Sequence, residues 1–243
     1  MIKAKEYFNK ASQTYDQVAF AQRESAIFLI KKLLEQNIAA KNILDVGTGT
    51  GNLIEILLKY YPHSNFYLND ISPNMLNKCK EKFNCNNNIK YIEGDMLTTD
   101  LPEAEIIVSN FALQWSNNLQ TTLNYLLNKN PKVFAFSTLL SGTFFEWNKL
   151  LKLPNTQSIL PYPNQDDCIR MCNNIKNNYK FNYWQQNIKL DFSTPLEFLY
   201  YLKKLGALAN NISVTISDLK KIAKIAQPFH THYRVFFGLF IEE

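Results

Sequence analysis

The fold of this chain is decided by the stretch Asn42-Ile43-Leu44-Asp45-Val46-Gly47-Thr48-Gly49-Thr50-Gly51-Asn52-Leu53. A short run of branched apolar residues ends at a carboxylate and three alternating glycines, and apolar residues with helical spacing then begin at Leu53. This order predicts a strand, a tight turn and a helix. Glycines allow positive φ angles and let a ligand lie against bare peptide, while the new helix directs unpaired N–H groups towards it. The turn is therefore expected to bind a nucleotide-like ligand.

The spacing of the glycines indicates which nucleotide. A dinucleotide site needs G-x-G-x-x-G, in which the third glycine relieves helix–strand contact beside a pyrophosphate. Here the spacing is G-x-G-x-G, and Asn52 stands where that third glycine should be. Asp45 would repel a pyrophosphate but suits a ligand that carries an ammonium and a sulfonium, such as S-adenosylmethionine. The stretch resembles the first motif of the class I methyltransferases, and its expected cofactor-binding residues are Asp45, Gly47, Thr48, Gly49 and Gly51.

Polar residues also end the following predicted strands. Asp70 closes the second strand about 20 residues past the glycines, where a carboxylate can accept both ribose hydroxyls. Ile71 is expected to press on the adenine, and Asp95 to accept its amino group. Since the carboxyl ends of parallel strands meet at one edge of a sheet, these residues should lie together. The further expected cofactor-binding residues are Asp70, Ile71, Met75, Asp95, Met96, Asn110 and Ala112.

Length and composition fit one α/β domain. The chain has 243 residues, of which 46% are hydrophobic, and a formal net charge of +5 that is spread along the chain. This mild positive charge favours an acidic macromolecular partner without indicating nucleic acid. The N-terminus lacks the apolar core of a signal peptide, and no apolar run approaches the roughly 20 residues of a membrane span. We therefore expect a cytoplasmic protein that does not associate with a membrane.

The four cysteines do not form a secreted disulfide framework. Cys168 and Cys172 would share one helical face, which raises the question of a metal site. A zinc site needs about four ligands, and neither C-x-x-C nor H-x-x-x-H accompanies this pair. We expect buried or idle thiols and no metal.

The alternation of elements predicts a seven-stranded, mostly parallel Rossmann-like sheet with an N-terminal helical extension and a helical lid insertion. Two N-terminal helices should flank a break at 14–16. The later predicted elements are strands at 65–70, 89–96, 106–110, 132–138, 181–192 and 233–241, and helices at 144–151, 166–174, 195–205 and 217–226. We expect a single domain over 1–243, made of a helical cap (1–38), a cofactor-binding core (39–139), a substrate lid with the sixth strand (140–205) and a C-terminal helix with the seventh strand (206–243).

Several longer motifs narrow the family. They are Tyr7-Phe8-Asn9-Lys10-Ala11 with Tyr15-Asp16 and Gln22, Ser109-Asn110-Phe111-Ala112-Leu113-Gln114-Trp115, Ala135-Phe136-Ser137-Thr138-Leu139 with Gly142-Thr143, Leu202-Lys203-Lys204-Leu205-Gly206-Ala207, and Phe237-Gly238-Leu239-Phe240. With these motifs, nearly the whole chain resembles the malonyl-acyl-carrier-protein O-methyltransferases of biotin synthesis, within the class I methyltransferases. It departs from that family at Thr48, where a cysteine is usual, at 130–132, where a Pro-Gly-Gly turn is reduced, and at Arg234, where an imidazole is expected.

The resemblance implies methyl transfer from S-adenosylmethionine to the free carboxylate of a malonyl thioester. A carboxylate with an aspartate-like pKa is already ionised at pH 7, so no general base is required. We expect Tyr15, Gln114 and Trp115 to position the acceptor, and a cation to hold its carboxylate, with Arg170, Lys203 and Arg234 as unranked candidates. The expected partner is a malonyl-loaded acyl carrier protein, which is acidic in this family's pathway, and the enzyme is expected to be a monomer.

The sequence is also compatible with other functions. The chain could be a class I methyltransferase for another small carboxylic acid or a quinone precursor. It could also be a protein hydroxylase of methyltransferase fold, or a non-catalytic assembly factor that binds the cofactor structurally. A nucleic-acid methyltransferase is disfavoured because the sequence has no Asn/Asp-Pro-Pro-Tyr-type motif and no basic stripe. Carrier protein and coenzyme A remain alternative carriers of the malonyl group.

Overall fold

The strands form one mixed sheet in a computed structural model of the chain, which describes residues 2–151, 162–175, 178–207 and 216–243. Within these residues the strands are β1 (Asn42–Val46), β2 (Asn65–Asp70), β3 (Ile89–Glu93), β4 (Ile106–Ser109), β5 (Val133–Leu139), β6 (Tyr179–Phe192) and β7 (Phe229–Glu242). Their order in the sheet is β3-β2-β1-β4-β5-β7-β6, in which β1 to β5 are parallel and β7 is antiparallel to both β5 and β6. The predicted fold class, a seven-stranded and mostly parallel sheet, is confirmed.

Helices cover both faces of this sheet. Those described are α1 (Ile2–Ala11), α2 (Tyr15–Val18), α3 (Phe20–Leu34), α4 (Asn52–Tyr60), α5 (Pro73–Lys82), α6 (Leu119–Leu127), α7 (Phe145–Leu150), α8 (Gln165–Asn173), α9 (Pro195–Lys204) and α10 (Ile216–Ile222), with a 3₁₀ turn at Leu113–Trp115. Ser72 caps α5 by accepting a hydrogen bond from the Met75 N–H, and Pro73 occupies the first helical position.

Two hydrophobic layers hold the helices against the sheet. The central strands β4 and β5 are buried along their whole length, which explains their continuous apolar sequence. Successive side chains point to opposite faces, so Ile43 packs in the layer under α3 and α4 while Leu44 packs in the layer under α6 and α8. Cys168 and Cys172 are buried in this second layer, where burial raises the pKa of the Cys168 thiol to about 12. These cysteines are core residues.

Several predicted boundaries are wrong. A third, short helix, α2, occupies the expected break in the N-terminal region. Strand β3 ends at Glu93, because Gly94 takes a φ of +147° that no longer continues a strand, and Asp95 therefore lies in a loop. Strand β4 ends at Ser109, before the left-handed Phe111. The final strand begins four residues early, since β7 pairs with β6 from Phe229 onwards.

The predicted division into four regions stays a prediction. Parts of the predicted lid (152–161) and of the C-terminal region (208–215) lie outside the described residues. No helix in the described ranges combines the length and the apolar character needed to cross a membrane.

Candidate active site

A cleft of about 820 Å³, partly open to solvent, lies at the carboxyl edge of the sheet, beyond the ends of β1, β2 and β4. Ligands bind at this edge in open α/β sheets. Ten of the predicted cofactor-binding residues line it, namely Asp45, Gly47, Thr48, Gly49, Asp70, Ile71, Met75, Met96, Asn110 and Ala112. The structure therefore brings most of the predicted set together around one cavity.

Gly51 and Asp95 belong to the predicted set but not to the lining of this cleft. A Cβ on Gly51 would lie 2.5 Å from the Phe83 ring and 2.8 Å from Cys79 Sγ, so this glycine is needed for helix packing. One carboxylate oxygen of Asp95 accepts the Leu97 N–H at 3.0 Å and caps the loop after β3. Their predicted contact with a cofactor stays a prediction.

Gly47 and Gly49 form the turn after β1, with φ angles of +73° and +57°. The N–H groups of Gly47 and Thr48 donate to the Asn69 carbonyl at 2.8 and 2.9 Å, which holds the turn against β2. A Cβ on Gly47 would lie 2.2 Å from Ala112 Cβ, whereas a Cβ on Gly49 would meet nothing within 4 Å. Gly47 thus permits close backbone packing, and Gly49 leaves open space over the turn in which a ligand can lie.

Asp45 is a buried carboxylate beside the Thr48 hydroxyl, and it forms no ion pair among the described residues. Its exposed fraction is 0%, and neither carboxylate oxygen has a hydrogen-bond partner among the described residues. Burial raises its pKa to about 7, the nearby Thr48 hydroxyl offsets part of this rise, and electrostatic repulsion from Asp70 adds to it. An unpaired buried anion is costly, so a cationic ligand group placed here would gain both charge pairing and hydrogen bonds.

Asp70 lies on the same wall of the cleft, at the end of β2. The Gly49 N–H donates to one carboxylate oxygen and the Ser72 N–H to the other, both at 2.8 Å. Burial raises the pKa of Asp70 to about 6 in spite of these two bonds. Each oxygen keeps a further acceptor position, so the fixed carboxylate can accept two neighbouring hydroxyl groups.

The N-terminal helices form the roof of the cleft, which Ala4, Phe8, Tyr15 and Gln22 line. Polar contacts fasten this roof to the cofactor-binding core. The Ser72 hydroxyl donates to Asn9 Oδ1 at 2.6 Å, and the Thr50 hydroxyl donates to Asp16 Oδ1 at 2.5 Å. Lys82 forms a 2.7 Å ion pair with the second oxygen of Asp16. The roof is thereby held against the glycine turn and α5.

Asn110 joins the roof to the sheet. Its Nδ2 donates to the Gln22 carbonyl at 2.9 Å, and its Oδ1 accepts the hydroxyls of Ser25 and Ser137, both at 2.7 Å. The side chain predicted to bind cofactor therefore already has partners on α3 and β5. Its placement at the lining still permits a cofactor contact.

Phe111 follows in a left-handed conformation with a φ of +53°. This conformation is rare for a bulky residue and tends to occur at functional sites. The Ser137 hydroxyl accepts the Phe111 N–H at 3.0 Å, and Gln114 Nε2 donates to the Phe111 carbonyl at 2.7 Å. These bonds hold the Phe111 ring where it lines both the cleft and the chamber described next.

A second cavity of about 430 Å³, also partly open to solvent and here called the acceptor chamber, adjoins the cleft. The two cavities share Phe8, Tyr15, Gln22, Phe111 and Trp115, and the remaining lining of the chamber is Gln114, Leu139, Phe144, Tyr162, Leu205, Ala207 and Tyr233. The predicted positioning residues Tyr15, Gln114 and Trp115 thus all line this chamber. A molecule in it would meet a ligand of the cleft across the shared residues.

Tyr162 and Tyr233 line the chamber and are absent from the predicted set. The Tyr201 hydroxyl donates to the Tyr233 hydroxyl at 3.3 Å. Burial raises the pKa of both Tyr162 and Tyr233 above the ordinary phenol value, so both stay protonated at neutral pH. Nothing in the local sequence marks Tyr233, because it lies in an apolar strand pattern typical of a core residue.

The three candidate cations lie away from the chamber lining. Arg170 is 69% exposed and pairs with Asp167 at 3.3 Å. Arg234 donates to the Ser141 carbonyl at 2.9 Å and packs over Gly142. Lys203 is exposed near the end of α9. The structure brings none of the three to either cavity.

Comparison with known proteins gives consistent matches. A family model described as "Methyltransferase domain" matches residues 43–128. The chain is 32% identical over 238 residues to a malonyl-acyl-carrier-protein O-methyltransferase of Neorickettsia risticii, which covers 96% of this chain and 93% of that one. It is 28% identical over 221 residues to an enzyme of the same name from Acetivibrio thermocellus, covering 84% and 78%.

The fold also resembles solved methyltransferase structures. One is magnesium protoporphyrin IX methyltransferase from Synechocystis PCC 6803 with bound SAH. The TM-score is 0.63 at 11% sequence identity, over 98% of both chains. At this identity the likeness shows the class I methyltransferase fold alone.

Proposed function

The chain belongs to the family of malonyl-acyl-carrier-protein O-methyltransferases, and from this we propose that it transfers a methyl group from S-adenosylmethionine to the free carboxylate of malonyl-acyl-carrier protein. The product would be the methyl ester that starts the pimeloyl part of biotin synthesis. The observation that carries the proposal is the unpaired buried carboxylate of Asp45 in a cleft that adjoins an aromatic acceptor chamber.

The residues of the cleft fit S-adenosylmethionine. When bound, it supplies an electrophilic methyl group on a positively charged sulfonium. The unpaired oxygens of Asp45 suit a cationic group of this ligand, and Asp70 presents two fixed oxygens to the ribose hydroxyls. The open space over Gly49 leaves room for the rest of the molecule. These features support binding of the cofactor in this cleft.

For this reaction the protein has to position the acceptor carboxylate and exclude water. A malonyl carboxylate is ionised at pH 7, so no side chain has to remove a proton from it. Tyr15, Gln114 and Trp115 would orient the carboxylate, and Trp115 packs edge-to-face on Phe8 with ring centroids 5.1 Å apart. An anion and a cation become two neutral products, a change that a water-poor chamber favours.

Steady-state kinetics with a panel of acceptors tests this function. Malonyl-acyl-carrier protein should be methylated, with release of S-adenosylhomocysteine. The acetyl form, which has no free carboxylate, should not react. A higher kcat/KM for another small carboxylic acid or a quinone precursor than for malonyl-acyl-carrier protein would overturn the substrate assignment.

The affinity for S-adenosylmethionine should depend on the protonation of Asp45. The pKa of Asp45 is raised to about 7, so the free protein binds a proton there at pH 6. A cationic ligand favours the ionised form, so binding releases this proton, and affinity should fall about tenfold per pH unit below about pH 7. Isothermal titration calorimetry in buffers of different ionisation enthalpy measures both effects.

The matched control is Asp45→Asn, which cannot titrate. Its affinity should be weaker than that of the wild type at about pH 8 and should fall only near and below about pH 6, where Asp70 takes up a proton. A wild-type affinity that does not change between about pH 6 and about pH 8 would exclude Asp45 as the partner of the cationic group.

We also propose that the acidic carrier protein docks beside α9. Lys203 and Lys204 are exposed there, and the Lys204 carbonyl accepts the Thr14 hydroxyl at 3.0 Å, next to the chamber residues Leu205 and Ala207. Replacing both lysines with glutamate should raise the KM for malonyl-acyl-carrier protein about tenfold at low salt, because complementary charge speeds encounter. Methylation of malonyl-pantetheine, which lacks the carrier protein, should not change.

The control for docking is the pair Lys41→Glu and Lys132→Glu. These exposed lysines precede β1 and β5, at the edge of the sheet opposite the cavities. They change the net charge by the same amount, so an equal rise in KM would show a general charge effect and contradict docking at α9. The enzyme is proposed to act as a monomer, which light scattering of the complex with carrier protein would test.

A further inference from the structure

The acceptor chamber combines several hydroxyl donors with little fixed charge. Tyr15, Tyr162 and Tyr233 all line it, and neither the Tyr15 nor the Tyr162 hydroxyl has a hydrogen-bond partner among the described residues. The Tyr201 and Tyr233 hydroxyls lie 3.3 Å apart, and because hydroxyl hydrogens rotate, Tyr233 can donate to a ligand while it accepts from Tyr201. Three phenol hydroxyls can therefore donate hydrogen bonds to one ligand.

These phenols also lie close enough to influence one another. Tyr233 raises the pKa of Tyr15 and of Tyr162 through electrostatic interaction, in addition to the effect of burial. All three stay protonated at neutral pH and act as neutral donors. A carboxylate accepts such hydrogen bonds readily, through two oxygens with several acceptor positions.

The described lysines, arginines and histidines lie outside the lining of the acceptor chamber. Within the described parts of the chain, the residues that line the chamber include no lysine, arginine or histidine. Arg23, which lies close enough to lower the pKa of Tyr15, donates to the Asp16 carbonyl at 2.9 Å and is not part of the lining. The acids Asp45 and Asp70 make the adjoining cleft negative until a cationic ligand occupies it.

We infer that the carboxylate of the acceptor is bound by the hydroxyls of Tyr15, Tyr162 and Tyr233, and that its counter-charge is the sulfonium of the methyl donor, with no Lys or Arg partner among the described residues. This inference rests on the proposed function. It assigns Tyr162 and Tyr233 to recognition of the substrate and makes binding of the acceptor depend on the charge of the ligand in the neighbouring cleft.

This arrangement suits a reaction that removes charge. A fixed cation would stabilise the acceptor anion before transfer and would then be left unpaired beside a neutral ester, which opposes catalysis. Neutral phenols stabilise the anion less than a cation would, and they leave no unpaired charge beside the ester. After transfer neither product carries the charges that held the pair together, so release of the ester is favoured.

Isothermal titration calorimetry with malonyl-pantetheine tests the inference without turnover. The protein is first saturated either with sinefungin, whose protonated amine replaces the methyl sulfonium, or with neutral S-adenosylhomocysteine. We expect malonyl-pantetheine to bind at least about tenfold more tightly to the sinefungin complex, because an opposite charge at contact distance in a water-poor site is strongly attractive. The methyl ester of malonyl-pantetheine is the control and should bind both complexes equally.

The tyrosines are tested by Tyr162→Phe and Tyr233→Phe. Each should weaken binding of malonyl-pantetheine to the sinefungin complex and leave binding of the methyl ester and of sinefungin unchanged, which a general loss of structure would not do. Tyr183→Phe, at a tyrosine that is 43% exposed on β6, is the matched control. Equal affinity for malonyl-pantetheine in both cofactor complexes would overturn the inference. If the wild type does not methylate malonyl-acyl-carrier protein at all, the proposed function itself fails.

Discussion

Replacing Asp70 with alanine is expected to weaken binding of S-adenosylmethionine by about 100-fold or more, because two hydrogen bonds from the ribose to a charged acceptor are lost. The Gly49 and Ser72 N–H groups fix this carboxylate from the protein side, so no other oxygen can take its place. The fold should persist. At pH 7, above the raised pKa of about 6, the ionised buried carboxylate destabilises the folded state, and its removal offsets the two lost backbone bonds.

Calorimetric titration with S-adenosylmethionine and thermal unfolding of the free protein measure these two effects. Asp100→Ala, at an exposed acid in the loop before β4, is the control and should match the wild type in both. If Asp70→Ala binds S-adenosylmethionine within about threefold of the wild type, the ribose assignment is wrong, since even one charged hydrogen bond contributes more than that.

Replacing Gly49 or Gly47 with alanine is expected to have different effects on cofactor binding and on stability. Gly49→Ala should abolish measurable cofactor binding with little loss of stability, because the new methyl group meets no protein atom within 4 Å and points into the space meant for the ligand. The left-handed φ of +57° adds a cost of about 1 kcal/mol. Gly47→Ala should instead lower the free energy of unfolding by several kcal/mol, roughly as overpacking of a rigid site does, since its methyl group would lie 2.2 Å from Ala112 Cβ.

Both variants are compared by thermal unfolding with and without S-adenosylmethionine. Gly49→Ala should unfold near the temperature of the free wild type and gain nothing from the ligand. If Gly49→Ala is stabilised by the ligand as much as the wild type is, the ligand does not lie over this part of the turn. If Gly47→Ala unfolds at the wild-type temperature, the close packing of the turn on Ala112 is not as described.

The cofactor side of the site follows closely from the sequence. Its residues stand at the ends of consecutive parallel strands, so a local pattern is enough to place Asp45, Gly49 and Asp70 at one edge of the sheet. Asp95 shows the limit of this reasoning. The pattern does not reveal that Gly94 turns the chain at the end of β3 and that one oxygen of Asp95 caps the following loop, and its predicted contact with the adenine stays a prediction.

The acceptor side could be predicted only in part. Tyr15, Gln114 and Trp115 lie in motifs of the family, but Tyr233 reaches the chamber through the sheet order. Strand β7 pairs antiparallel with β5, which brings Tyr233 beside Phe111, with ring centroids 5.2 Å apart. Contacts of this kind join residues more than a hundred positions apart, and no local pattern contains them. The expectation of a cationic side chain at the carboxylate likewise came from charge alone, without knowledge of the chamber lining.

The central claim is that the cleft and the adjoining chamber serve one methyl transfer, and mass spectrometry of the acceptor tests it most directly. The protein is incubated with malonyl-acyl-carrier protein and S-adenosylmethionine whose methyl group carries deuterium. The malonyl group is expected to gain one deuterated methyl group as an ester, with one equivalent of S-adenosylhomocysteine formed. An unchanged malonyl group in the presence of protein that demonstrably binds S-adenosylmethionine would contradict it.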